Sequence, residues 1–425
     1  MHEGGIFMSL RYNLGLLTTP AYALVAMRGL MFLGVQISYF VGVMGTLAYS
    51  MNADTFIMAC VVGVLNLMQV IGDFFGGSFL DAHGPRIHAR TAIVFMTSTA
   101  VCFVLFGTTN KAILACSALF GMSVGFADAI SRAYPAYLTQ NPTELKTINS
   151  VLSVVSNIAG VLGPILGGCI ASVFPSRMVF VVTIATSLTT GIFINAYIAG
   201  TVDSNQNRVR DDNTKPSIKE GFVYVLKTPT LAFLFCMGFV SFLGFGAFDP
   251  LESLYYRDVL HVGVAWMGWL SSGFGIGCAI GSLLVLHIPA HHVNSKTLLW
   301  CIVLMGLCCA LYVGTDNVYI CMTGQILEGV AEGLTFPLLT TLTQTHTDIK
   351  RLGIVNGVMN FGLTMAGVVP LFCAPAISDI LGVQGTLISA SFVVALVPIL
   401  CRIFWGKHLN ELVKEEQSFH LVITE

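Results

Sequence analysis

The chain has 425 residues, 55% of them hydrophobic and only 10% charged, with a mean hydropathy of +0.81. That lies far outside soluble-globular composition, so the chain is expected to live in a bilayer. A net charge of -2 with no basic tail or stripe excludes a nucleic-acid partner, because nothing is there to neutralise phosphates.

A hydrocarbon core of about 30 Å takes about 20 apolar helical residues. Twelve such spans can be marked, at 21–48, 54–80, 87–108, 111–138, 147–173, 178–200, 229–250, 263–287, 296–314, 317–343, 352–377 and 383–405. None alternates polar with apolar over about ten residues as a barrel strand would. The expected fold is an all-α membrane protein with two six-helix bundles, 1–200 and 229–405. Between them lies a linker at 201–228, and 406–425 forms a tail. Ahead of span 1 there is no short apolar core with a small-residue cleavage site, so span 1 is expected to act as an uncleaved anchor.

Spans 2 and 3 meet in a tight hairpin. Gly77 and Asp81 close span 2, Gly84 and Pro85 make the turn, and Arg86 and Arg90, four apart on one face, open span 3. In span 5, Gly160, Pro164, Gly167 and Gly168 form a stripe with Ala171, and Gly163 precedes the proline. Such a helix packs closely on a neighbour and bends where Pro164 opens its hydrogen-bond ladder. The linker is polar from Asp203 to Pro216. Ile218, Phe222 and Val225 then recur at helical spacing, as either an amphipathic helix on the inner leaflet or the helical end of a solvated linker.

Charges inside spans are costly and are functional candidates by default. At 1.5 Å per residue Glu328 lies about 16 Å into span 10, near the midplane, and Glu332 one turn deeper. Desolvated there, a carboxylate can take a proton from one side and release it on the other. Asp128, with Arg28 or Arg132 as its partner, reads as a structural ion pair. Asp73 in span 2 fits a carrier or a partner of the hairpin equally well. Asp249 and Glu252 are placed near the outer mouth as gate or surface residues. Phe239, Phe242, Phe245 and Phe248 either stack an apolar substrate or pack. His287, His291 and His292 lack an accompanying acid or cysteine, so no metal site is expected. The twelve cysteines all fall in apolar runs and read as small buried residues, without disulfides.

Alternating the loops from a cytoplasmic N-terminus puts fifteen basic residues inside, among them Arg86, Arg90, Lys219, Lys227 and Arg402, and only Lys111, Arg177 and Arg257 outside. Both termini are therefore expected in the cytoplasm. The halves also echo each other. Gly125-Phe-Ala-Asp128 matches Gly329-Val-Ala-Glu332, Ile158-Ala-Gly-Val matches Met365-Ala-Gly-Val, and Gly63, Gly72 and Gly76 match Gly268, Gly277 and Gly281, at offsets of 204 to 207.

The hairpin from Gly77 to Arg90 resembles the signature loop between helices 2 and 3 of the major facilitator superfamily, with Pro85 where a basic residue is usual. That resemblance implies a transporter with a cytoplasmic latch at Gly77, Asp81, Gly84, Arg86 and Arg90, and a central cavity lined by spans 1, 4, 7 and 10. The Gly-Pro-x-x-Gly-Gly core of span 5 resembles the antiporter motif of drug–proton exporters, with Ala159 where glycine is more common. Asp128 to Pro135, the stretch from Glu220 to Pro229 and the stretch from Pro250 to Leu260 resemble the enterobactin-exporter and macrolide-efflux branch. Ser117 replaces the arginine that many proton-coupled exporters carry in span 4.

The expectation is thus a monomeric secondary transporter of the cell membrane, not an enzyme. It would exchange an amphipathic small molecule for protons, with Glu328, Glu332, Asp73, Asp128, Arg28 and Arg132 as coupling candidates. No cofactor is expected, since no Gly-x-x-x-x-Gly-Lys motif is present to cradle a nucleotide. An uptake symporter for a metabolite is the alternative, and a polytopic enzyme or receptor a further one.

Overall fold

The structure, a computed structural model, describes residues 18–139, 142–198, 218–285, 288–289, 292–347 and 351–424. Among these no strand occurs. The chain divides at the linker into two compact units, residues 1–53 with 60–213 and residues 214–425 with 54–59.

In the first unit α1 (Thr19–Ile37) runs on into π-helical turns over Ser38–Ser50. It is followed by α2 (Thr55–His83, of which 55–59 group with the second unit), α3 (Pro85–Phe106), α4 (Asn110–Leu138), α5 (Pro142–Ala171) and α6 (Phe180–Phe193). The second unit opens with α7 (Ile218–Lys227), then α8 (Pro229–Asp258), α9 (Val264–Val285), α10 (Ser295–Val313) and α11 (Val318–Thr345). The helical stretch Leu352–Phe404 is broken at Gly382, whose φ of 72° only glycine adopts readily, into α12 (352–381) and α13 (383–404). Last comes α14 (Gly406–Thr424).

The helix starts follow from short side chains that satisfy the first free amides. Thr109 accepts from Ala112 N, Asn294 from Thr297 N, and Asn317 from Tyr319 N. Proline takes the first turn in α3 and α8. Ten described stretches are long and apolar enough to cross a membrane. One of them covers both α12 and α13, and α11, interrupted by Gln325, Glu328 and Glu332, completes the twelve expected spans.

Three expectations need correction. Span 7, read as ending at Pro250, continues as helix to Asp258, because the unmade hydrogen bond of one internal proline does not stop a helix held by its neighbours. Val225 of α7 is fully buried in a core with Leu234, Leu338 and Val355. Phe222 packs edge-on to Phe235 and Phe361, so this apolar face covers its own unit instead of lipid. Cys169, Cys236 and Cys373 are exposed, unlike the buried Cys116, Cys301, Cys308, Cys309 and Cys321. Much of the polar linker and the whole of 1–17 lie outside the described residues, as do His287 and His291.

The repeat inferred from sequence has a physical counterpart in each unit. Between α2 and α4, a Cβ on Gly72, Gly76 or Gly125 would run into the backbone carbonyl of Met122, Phe126 or Gln69. Between α9 and α11, a Cβ on Gly277, Gly281 or Gly329 would run into that of Ile326, Val330 or Phe274. Matching glycines thus set matching helix pairs backbone to backbone, which only hydrogen side chains permit.

Candidate functional site

In the first unit the α2–α3 hairpin forms as expected. Gly84 turns at φ 81° and Pro85 starts α3. Arg86 and Arg90 are exposed on α3, and no Cβ clash would arise at Gly77. The side chain of Asp81 lies outside the described set. Sequence reading passed over His88, which sits between the two arginines but points inward and is fully buried. Its Nε2 is 3.1 Å from the Phe126 carbonyl of α4, and its ring stacks on Phe126 at 4.8 Å. The Tyr134 hydroxyl donates to the Pro85 carbonyl, so α4 grips both turn and helix.

Arg28 of α1 reaches Asp128 of α4 with 2.6 Å between Nη1 and Oδ1. Its Nε donates to Ser156 Oγ of α5 at 3.0 Å, and its guanidinium lies 4.8 Å from the Phe32 ring centre. Of the two partners foreseen for Asp128, the structure brings Arg28 to it; the Arg132 side chain lies outside the described residues. Asp73 is half-buried in α2. The span 5 stripe faces α1. A Cβ on Gly163 would meet Gln36 and one on Gly167 would meet Val41, while Gly160 sits against Gln36. Pro164 and Gly168 are buried.

The second unit holds the larger group of ionisable residues. On α11, Gln325, Glu328 and Glu332 follow at intervals of three and four, hence on one face. Glu328 is 3% exposed and lies near the Cys309 thiol of α10, with Glu332 and Glu252 near enough to act on it electrostatically. Cys278 of α9 faces both α11 carboxylates. Among the described residues no basic side chain forms an ion pair with Glu252, Glu328 or Glu332.

Glu252 is not a surface residue of the mouth. Because α8 continues past Pro250, its carboxylate points among the helices, and Oε1 accepts from Tyr256 OH at 2.6 Å, Gln325 Nε2 at 2.7 Å and Tyr312 OH at 3.3 Å. Tyr255 OH lies 2.8 Å from the Tyr312 carbonyl and 2.7 Å from that of Thr315, bracing the turn between α10 and α11. The sequence signal was present: Glu252 and Tyr256 are four apart, one helical turn, but only if the helix is carried through the proline. Of the aromatic run, Phe248 is buried beside Tyr312 and Phe242 packs edge-on to Phe336, while the Phe245 side chain lies outside the described set. Among the described residues no group of His, Cys, Asp and Glu is arranged to hold a metal ion.

Comparison with known proteins places this arrangement in context. The chain is 24% identical over 280 residues to solute carrier family 22 member 18 of Mus musculus, an alignment taking in 61% of this chain and 67% of that one. It is 23% identical over 275 residues to the uncharacterized MFS-type transporter YfmI of Bacillus subtilis (strain 168), taking in 61% of this chain and 64% of that one. Among solved structures, the nucleoside transporter NupG superposes with a TM-score of 0.71 at 11% identity, over 89% of this chain and 99% of that one. A bacterial homologue of the iron transporter ferroportin, in its inward-facing state, superposes with a TM-score of 0.64 at 16% identity, over 89% and 98%. At such identities these two structures establish the fold alone. The sequence profile of the Major Facilitator Superfamily matches residues 24–241 and 234–421, nearly the whole of both halves, and the chain belongs to that superfamily of membrane transporters.

Proposed function

We propose that this transporter is a proton-coupled exporter of an amphipathic small molecule, working by alternating access with Glu328 and Glu332 as its proton carriers. The observation that carries the reading is the pair of carboxylates one turn apart in α11, turned toward thiols and, among the described residues, without an ion-pair partner. An uncompensated carboxylate charge in an apolar interior is costly, so each group must gain a proton when sealed and can give it up when water reaches it.

Export is supported by the glycine and proline stripe of α5 seated on α1, which matches the antiporter-like pattern of Gly160, Gly163, Pro164, Gly167 and Gly168. In the same reading Gly77, Asp81, Gly84, Arg86 and Arg90 act as a cytoplasmic latch, Arg28 and Asp128 tie α1 to α4, and Asp73 and Arg132 are secondary coupling candidates. Both termini face the cytoplasm of a cell membrane, and the transporting unit is a monomer.

Cells producing the protein are expected to withstand a toxic amphipathic compound better than cells lacking it. Glu328→Gln and Glu332→Gln should each abolish that resistance with undiminished protein in the membrane. Full resistance in both variants refutes the carrier assignment. Uphill accumulation of a labelled metabolite by producing cells would make the protein an uptake symporter instead.

A further inference from the structure

We infer that Glu252 is a third proton-binding group of this protein, held at the α10–α11 end of the second unit by Gln325, Tyr256 and Tyr312. This rests on the proton coupling proposed above and extends it to a residue outside α11.

A count of donors and acceptors supports it. Tyr256 and Tyr312 each have one hydroxyl proton, and both point at Glu252 Oε1. The Gln325 amide nitrogen also faces this cluster, 2.7 Å from Glu252 Oε1 and 2.6 Å from Tyr256 OH. Gln325 is 1% exposed, yet its Oε1 is buried without a hydrogen-bond partner. While Glu252 is ionised, reversing the amide would set an oxygen against the carboxylate, so the charged acid dictates the observed orientation and strands Gln325 Oε1. The cluster is therefore one donor short, and an orphaned buried acceptor is a cost that a native fold rarely leaves unmet.

The remaining titratable groups around Glu252 do not fill the gap. Among the described residues they are Asp249, Tyr255 and Tyr256 on its own helix, Tyr312 on α10, and Cys321 and Glu328 on α11. The acids among them add negative charge, and the tyrosines are already engaged. A proton from water supplies the missing donor at the place Gln325 Nε2 now fills, so that the amide can reverse and its Oε1 accept from the acid: uptake forms one O–H bond on the Glu252 carboxyl and release breaks it, with no other reactant. Glu252 is half-buried as a residue, while Gln325, Tyr256 and Tyr312 are 1–2% exposed.

The test is difference infrared spectroscopy of the full chain in proteoliposomes, acidic against alkaline buffer, needing no transported substrate. Glu252→Gln is expected to remove one protonated-carboxyl C=O band from the spectrum, and Gln325→Leu to shift that same band by deleting its neighbour. A Glu252→Gln spectrum that keeps every wild-type band overturns the proposal. If Glu252→Gln does not fold, Gln325→Leu and Tyr256→Phe decide: bands unshifted in both overturn it. Loss of the Glu252 band in a protein whose transport ignores a proton gradient would uphold this site and refute the proton-driven reading of the transporter.

Discussion

The pair between Arg28 and Asp128 permits a quantitative test of how the first unit holds together. With 2.6 Å between Nη1 and Oδ1, and side chains 15% and 28% exposed, the charges attract by about 6 kcal/mol at an effective dielectric constant of about 20. Most of this offsets the loss of hydration. Breaking a fully buried pair by removing one partner costs about 3–5 kcal/mol, and the partial exposure of Asp128 brings this down to about 2–3 kcal/mol. Arg28→Met and Asp128→Asn should each lose that much, and the double variant should lose about 2 kcal/mol less than their sum. Reversible unfolding of the four proteins in a dodecyl sulfate titration measures the cycle. Additivity within about 0.5 kcal/mol would refute the coupling, leaving Ser156 and Phe32 as the contacts that matter to Arg28.

The glycine seams give a paired prediction. Gly277→Ala drives a Cβ into the Ile326 carbonyl and should destabilise by about 1–3 kcal/mol, whereas Gly77→Ala meets nothing within 4 Å and should be neutral or gain up to about 1 kcal/mol of helix propensity. Thermal melting in detergent distinguishes them, and equal melting temperatures would refute the seam. Glu416 of α14 is 2% exposed and accepts from Ser295 N at 2.9 Å and Ser295 Oγ at 2.5 Å. Glu416→Ala should therefore free the C-terminal helix, costing about 2–3 kcal/mol locally. Faster amide exchange across residues 406–424 is the expected outcome, and unchanged exchange the refuting one.

Sequence alone revealed the spans, because the length and apolarity that a bilayer demands are written residue by residue. It also revealed the repeat, since close backbone packing admits only glycine at positions such as Gly72 and Gly277. Glu328 and Glu332 stood out as acids in an apolar helix. Glu252 did not, because Pro250 read as a terminator and no local pattern shows that neighbouring helices carry the chain past it. Gln325 and Tyr312 were invisible for a different reason: their role is set by a partner 73 or 60 residues away in sequence. His88 was hidden among basic neighbours, its burial decided by Phe126 on another helix. The tail after Trp405 looked like a loose end, yet Leu409, Leu412 and Glu416 share a face and are buried. That spacing could have been read as a docked helix, but the acid at its centre disguised the face as polar.

The backbone-to-backbone contacts of α2 with α4 and of α9 with α11 also constrain how the protein can move. Where carbonyls rest directly on Cα hydrogens there are no long side chains to swing aside, so neither helix can slide or roll past its partner without collision. Each couple must travel as a single welded blade, and the flexing a transport cycle demands has to be taken up along joints cushioned by bulkier groups.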